Sequence, residues 1–185
     1  MKIARRGHDK TPIAAFLFAL LMLLPLLAAT TDPRDASVDQ DMDRLKKAML
    51  NKEPQTLVDM MYGPVVEAGG GREQLIAQAK ALTNIASYSV LDIIKPYTYV
   101  SGVQNDYVII PTHVILSVRG RQFDYKSYEL GIKPHRDGKW EYLDGTGITS
   151  LARDRFLPDF PASSNLPEVQ KREINEEKVP IPPSN

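Results

Sequence analysis

The apolar residues that follow residue 37 recur with helical spacing. In the first segment they stand three or four positions apart, at Val38, Met42, Leu45 and Met49. This pattern predicts an amphipathic helix that begins at Ser37, a residue type that caps helix N-termini. Pro54 is suited to the first turn of a second, short helix. The glycines at residues 69–71 precede a third helix, and residues 65–68 are expected to be an extended connection.

From residue 87 onward the hydrophobic period changes from three or four to two, which predicts strands. The expected strands are residues 87–95, 97–103, 107–118, 122–133 and 139–144. Their connections are short and rich in turn-forming residues, so the strands should form an antiparallel meander. Pro111, in the middle of the longest strand, predicts an edge position or a bulge. The single tryptophan, Trp140, is expected to close a small core.

The chain begins with the three-part order of a secretory signal peptide. A basic stretch, an uncharged apolar run over residues 13–27 and a small, polar stretch follow one another. The apolar run has about 15 residues, fewer than the roughly 20 that a membrane-spanning helix prefers. A cleaved signal peptide over residues 1–29 is therefore favoured, and an uncleaved N-terminal anchor is the alternative. Either interpretation places the remainder outside the cytoplasm, in a periplasmic or secreted location.

Proline spacing divides the rest of the chain. Residues 30–36 are expected to be a linker, residues 37–156 the folded domain, and residues 157–185 a proline-rich C-terminal tail whose first part lies on the domain. The formal net charge is zero, and outside the basic N-terminus the chain is mildly acidic, so nucleic acid is not an expected partner. The absence of cysteine excludes disulfides, thiolate catalysis, iron–sulfur clusters and cysteine-bound zinc.

Five segments carry a family resemblance, at residues 62–67, 69–73, 108–111, 130–132 and 137–145. Helices followed by strands, with these segments in this order, resemble the nuclear-transport-factor-2-like (SnoaL-like, cystatin-related) superfamily, and more narrowly its uncharacterised secreted bacterial proteins. The resemblance implies an α+β fold in which N-terminal helices pack in a strongly curved, cone-shaped antiparallel sheet. It also implies a pocket in many members and, frequently, a homodimer through the outer face of the sheet.

Isomerases of this superfamily place a carboxylate base and buried acidic groups inside the cone. The resemblance therefore leads to Asp92 and His113 as candidate catalytic residues, and to Tyr62 and Tyr128 as candidate ligand-binding residues. A solvated Asp92, a structural His113 and tyrosines of the core are the favoured alternatives. No metal or cofactor is expected, because the three histidines are scattered along the sequence.

The favoured functional hypothesis is an exported, non-catalytic module that binds a small apolar ligand or a partner protein. One alternative is a small isomerase or hydratase with a carboxylate or histidine base in the cone. Another is an assembly component anchored by an uncleaved N-terminal helix, the only case in which contact with a membrane is expected. The fold alone does not choose among these functions, since the same architecture serves several.

Overall fold

The structure is a computed structural model that describes residues 32–136 and 138–174. Over these ranges it has five α-helices: α1 (Asp35–Leu50), α2 (Pro54–Asp59), α3 (Gly63–Ala68), α4 (Arg72–Ile85) and α5 (Ser150–Phe156). It has six strands: β1 (Ala86–Ile93), β2 (Thr98–Ser101), β3 (Asn105–Val118), β4 (Arg121–Pro134), β5 (Glu141–Asp144) and β6 (Gln170–Ile174). The predicted α+β class is confirmed. Two predicted segments lie outside the described residues: the signal or anchor segment, residues 1–29, and the end of the tail, residues 175–185.

All six strands belong to one antiparallel sheet. The long hairpin of β3 and β4 is its centre, and Arg119 and Gly120 form its two-residue turn with positive φ angles of 52° and 79°. On one side of this hairpin β1 and β2 pair with β3, and on the other side β5 and β6 pair with β4. The predicted antiparallel meander is therefore present, with a sixth strand added at its C-terminal end.

Pro111 lies in a central strand, so the prediction of an edge position is wrong. The carbonyl of Pro111 accepts a 2.8 Å hydrogen bond from the backbone nitrogen of Ile94, at the break between β1 and β2. The N–H and C=O groups of one strand residue point the same way, so the missing N–H of Pro111 faces this break. The proline is tolerated because neither neighbouring strand requires a donor there.

The long helix α1 packs on one face of the sheet, which we call the inner face. Its buried residues are Val38, Met42, Leu45 and Ala48, so the predicted apolar stripe is confirmed except that Ala48 is buried more deeply than Met49. Trp140, only 4% exposed, packs in the same core and fulfils its expected role. The helix begins two residues before Ser37, whose hydroxyl donates to the carbonyl of Arg34 at 2.9 Å and does not act as the N-cap.

Residues 65–68 are helical, so the predicted extended connection is wrong. They belong to α3, and Pro64 occupies its first turn. A proline in the first helical turn loses no hydrogen bond, because the first N–H groups of a helix have no partner within the helix. Pro64 therefore starts a short helix where an extended connection was predicted.

The opposite, outer face of the sheet has its own core. Five buried residues of β3 and β4 lie there: Tyr107, Ile109, Tyr128, Leu130 and Ile132. Leu157 and Phe160, 3% and 6% exposed, cover them together with neighbouring apolar residues of the C-terminal segment. The first part of the predicted tail thus belongs to the core, and the later part adds strand β6 to the sheet.

Candidate functional site

Two adjoining cavities lie between the inner face of the sheet and the helices α1 and α4. One has a volume of about 430 Å³ and the other of about 340 Å³. The same five residues line both: Leu45, Met49, Leu82, Glu129 and Asp144. Because these walls are shared, we treat the two spaces as one site and call it the inner cavity.

The walls of the inner cavity are mainly apolar. The smaller cavity is further lined by Leu57, Val58, Met60, Met61, Leu75 and Ala79. Helix α4 contributes few buried side chains, and Leu82 is 62% exposed although it lines both cavities. The space exists because α4 does not pack its apolar face closely against the sheet, and it opens to the surface beside Leu82.

Glu129 of β4 is the most unusual residue of this wall. It is 9% exposed, and its carboxyl group has no hydrogen-bond partner among the described residues. Desolvation by burial raises its pKa well above the usual value, and the nearby charge of Asp144 raises it further. The raised pKa favours the protonated form, which can donate a hydrogen bond into the cavity.

Asp144 lies directly opposite Glu129 in the β4–β5 register. Directly opposed residues of an antiparallel pair point to the same face, so both carboxyl groups face the inner cavity. One carboxylate oxygen of Asp144 accepts a 2.8 Å hydrogen bond from the backbone nitrogen of Thr146 and caps the 3₁₀ turn Gly145–Gly147. That bond occupies one oxygen of Asp144, which is an exposed residue that lines both cavities.

A buried hydroxyl lies two residues away from Glu129 on the same strand. Residues two apart on a strand share a face, and Ser127 lines the larger cavity. The hydroxyl oxygen of Ser127 is buried and has no hydrogen-bond partner among the described residues. Buried polar groups are normally hydrogen-bonded, so an unpartnered hydroxyl on the wall of a cavity is a feature that requires explanation.

The candidate catalytic residues Asp92 and His113 lie on the outer face, away from the inner cavity. They are directly opposed in the β1–β3 register, and Asp92 is exposed. His113 Nε2 is 2.9 Å from Asp124 Oδ1, and Arg172 of β6 donates to the other oxygen of Asp124 at 2.8 Å. The structure therefore places His113 in a side-chain hydrogen-bond network that joins β6 to the sheet.

The candidate ligand-binding tyrosines also lie apart from the inner cavity. Tyr128 is buried in the outer-face core and lines a separate cleft of about 820 Å³ beside α5 and the C-terminal segment. Tyr62 packs against the same core, and burial, followed by the charges of Glu141 and Asp159, raises its pKa. The four residues singled out from the sequence are thus not brought together into one site.

Glu129 was not predicted as a site residue, although its position in the sequence is unusual for an acid. Glu129 stands between Tyr128 and Leu130 in the most apolar part of the predicted strand 122–133. An acid at such a position either faces solvent or is buried. Choosing between these requires the pairing of β4 with β3 and β5, which the sequence pattern alone does not supply.

Comparison with known proteins gives no relative for this chain: no protein-family model, no curated protein and no solved structure matches it. Within residues 32–136 and 138–174, no helix is long and apolar enough to cross a membrane. The same residues contain no group of three or more histidine, aspartate or glutamate side chains that could hold a metal ion. The inner cavity is therefore the feature from which a function is inferred.

Proposed function

We propose that this protein binds a small, mainly apolar molecule in the inner cavity. Each of the two adjoining spaces has a volume in the range of small-molecule sites, which is roughly 300–1,000 Å³. Apolar walls with a few polar groups are typical of such sites. Met49, Met60 and Met61 add flexible, polarisable side chains, which adapt to the shape of a ligand.

The observation that carries the proposal is the buried hydroxyl of Ser127, which has no hydrogen-bond partner among the described residues and lies on the same strand face as the carboxyl group of Glu129. Burying a polar group without a hydrogen bond costs about 1–3 kcal/mol. A ligand that brings one polar group to this position would offset that cost, and its apolar part would fill the remainder of the cavity. The proposal concerns binding alone, because Asp92 and His113, the candidate bases, face away from the cavity.

We also propose, on the sequence pattern of residues 1–29, that the chain is exported. The resemblance to the nuclear-transport-factor-2-like superfamily remains a proposal as well. It is supported by N-terminal helices on one face of an antiparallel sheet with a cavity between them. Homodimerisation through the outer face has less support, since the C-terminal segment of the same chain covers part of that face.

A pair of variants on α4 tests the proposal. Ala79 lines the cavity, whereas Ala77, on the same helix, is exposed and lines none of the described cavities. We expect saturable binding of the neutral dye Nile red to the unmodified protein, loss of this binding in Ala79→Trp, and unchanged binding in Ala77→Trp. Equal binding by the two variants, or no saturable binding by the unmodified protein, would contradict the proposal.

A further inference from the structure

We propose that the molecule held in the inner cavity is a hydrophobic amine whose ammonium group lies between Glu129 and Asp144. This inference rests on the proposed binding function and specifies the chemical class of the ligand. It starts from the pairing of β4 with β5, which sets two carboxyl groups face to face on the cavity wall.

The charged residues of the smaller cavity are of one sign. In the part of the chain that the structure describes, Glu129 and Asp144 are the charged residues that line it, and both are acidic. The larger cavity adds one basic residue, Lys46 of α1. An anionic ligand group at this position would be repelled by Asp144, whereas a cation would be attracted to Asp144 and would favour the carboxylate form of Glu129.

The hydrogen-bonding capacity of the wall also fits an ammonium group. A primary ammonium carries three N–H donors and no acceptor. The Glu129 carboxylate, the second oxygen of Asp144 and the unpartnered hydroxyl of Ser127 can each accept one hydrogen bond. A ketone or an ether offers acceptors only, so it would pair with the protonated form of Glu129 and form no hydrogen bond with Asp144.

Binding of an ammonium ion should release a proton. Burial and the charge of Asp144 raise the pKa of Glu129, and an incoming positive charge lowers it, so binding favours the carboxylate form. A proton lost from the Glu129 carboxyl group passes to the buffer. The other titratable groups on the wall of the inner cavity are Lys46, Tyr88, Tyr125, Tyr142 and Asp144.

Three probes with the same eight-carbon chain separate the ligand classes: n-octylamine, 1-octanol and octanoate. Calorimetric titration of the full chain at pH 7 should show that octylamine binds at least about tenfold more tightly than octanol. Octanoate should bind most weakly. Titration in two buffers of different ionisation enthalpy should reveal proton release with octylamine and none with octanol.

Two isosteric variants and one surface variant complete the experiment. Glu129→Gln should abolish the advantage of octylamine over octanol. Asp144→Asn should reduce that advantage, and the asparagine side-chain oxygen can still accept the hydrogen bond from the backbone nitrogen of Thr146. This variant replaces Glu129→Gln if the latter does not fold. Glu67→Gln removes an equal charge from the exposed surface of α3 and should change nothing.

The experiment tells a wrong ligand class from a wrong binding function. Octanol binding as tight as octylamine, or an advantage of octylamine that survives in Glu129→Gln, overturns the amine inference and leaves the binding function in place. If none of the three probes nor Nile red binds the unmodified protein, the binding function itself is wrong.

Discussion

The hydroxyl of Tyr142 on β5 donates a 2.8 Å hydrogen bond to the carboxylate of Asp41 on α1. Two further bonds of the same kind join this helix to the sheet region, from Tyr99 to Asp35 and from Tyr97 to Asp39, each at 2.7 Å. Three phenolic groups thus hold the long helix that forms one wall of the inner cavity. The position of α1 is fixed by these bonds as well as by its apolar stripe.

We predict that Tyr142→Phe destabilises the protein by about 1–2 kcal/mol, since a hydrogen bond to a charged group is lost and Asp41 remains without its partner. Urea denaturation at pH 7 measures the change in the free energy of unfolding. Tyr128→Phe is the matched control, because the Tyr128 hydroxyl has no hydrogen-bond partner among the described residues. An equal loss in both variants would show that the Tyr142–Asp41 bond does not fasten α1.

Acidic residues at the start of α1 illustrate what the sequence could and could not indicate. Asp39 and Asp41 lie near the N-terminus of a helix that the apolar spacing predicted and the structure confirms. Their carboxylates, however, bind tyrosine hydroxyls that lie 58 and 101 residues further along the chain. Local spacing predicts the helix, but partners at such separations depend on the completed sheet.

Strand pairing explains why the candidate site could not be predicted. The alternating pattern of residues 107–118 and 122–133 was sufficient to predict the β3–β4 hairpin. Assigning Glu129 to the cavity requires its register with Asp144, and the short strand β5 defines that register through four residue pairs. Leu157 and Phe160 were assigned to the tail because prolines surround them, yet their burial depends on the outer face they cover.

We predict that Gly131→Ala destabilises the core where β4, β5 and Trp140 meet. An added Cβ atom would lie 2.5 Å from the Val108 side chain and 3.1 Å from the Tyr142 ring, and overpacking of this kind typically costs about 1–3 kcal/mol. Gly147→Ala is the matched control, because a Cβ there meets nothing within 4 Å. Thermal unfolding followed by circular dichroism compares the two, and equal melting temperatures would contradict the predicted clash.

We predict that Asp159 makes the docking of the C-terminal segment sensitive to acid. Burial raises its pKa, but hydrogen bonds from Tyr107, Gln104 and Asn105 together lower it below the usual value. Because the pKa of Asp159 is lower in the folded protein than its ordinary value of 3.8, the ionised carboxylate stabilises the fold at pH values above 3.8. This stabilisation is lost as the pH falls through the folded-state pKa. Asp159→Asn should therefore lose about 1–3 kcal/mol at pH 7 and less at pH 3, measured by urea denaturation. A loss that is equal at both pH values would contradict this.

We predict that Glu129→Gln stabilises the unoccupied protein at neutral and alkaline pH. Because the pKa of Glu129 is raised in the folded state, the folded protein holds a proton that the unfolded chain releases above its ordinary pKa of 4.5. The stability of the unmodified protein therefore falls as the pH rises above that value, by up to about 1.4 kcal/mol per pH unit from this residue. Glutamine does not titrate, so urea denaturation should give the variant little advantage at pH 4 and an advantage that grows as the pH rises above 5. If the free energy of unfolding of the two proteins changed with pH in the same way, the Glu129 carboxyl group would be solvated. It would then not be the buried group that the proposed ligand requires.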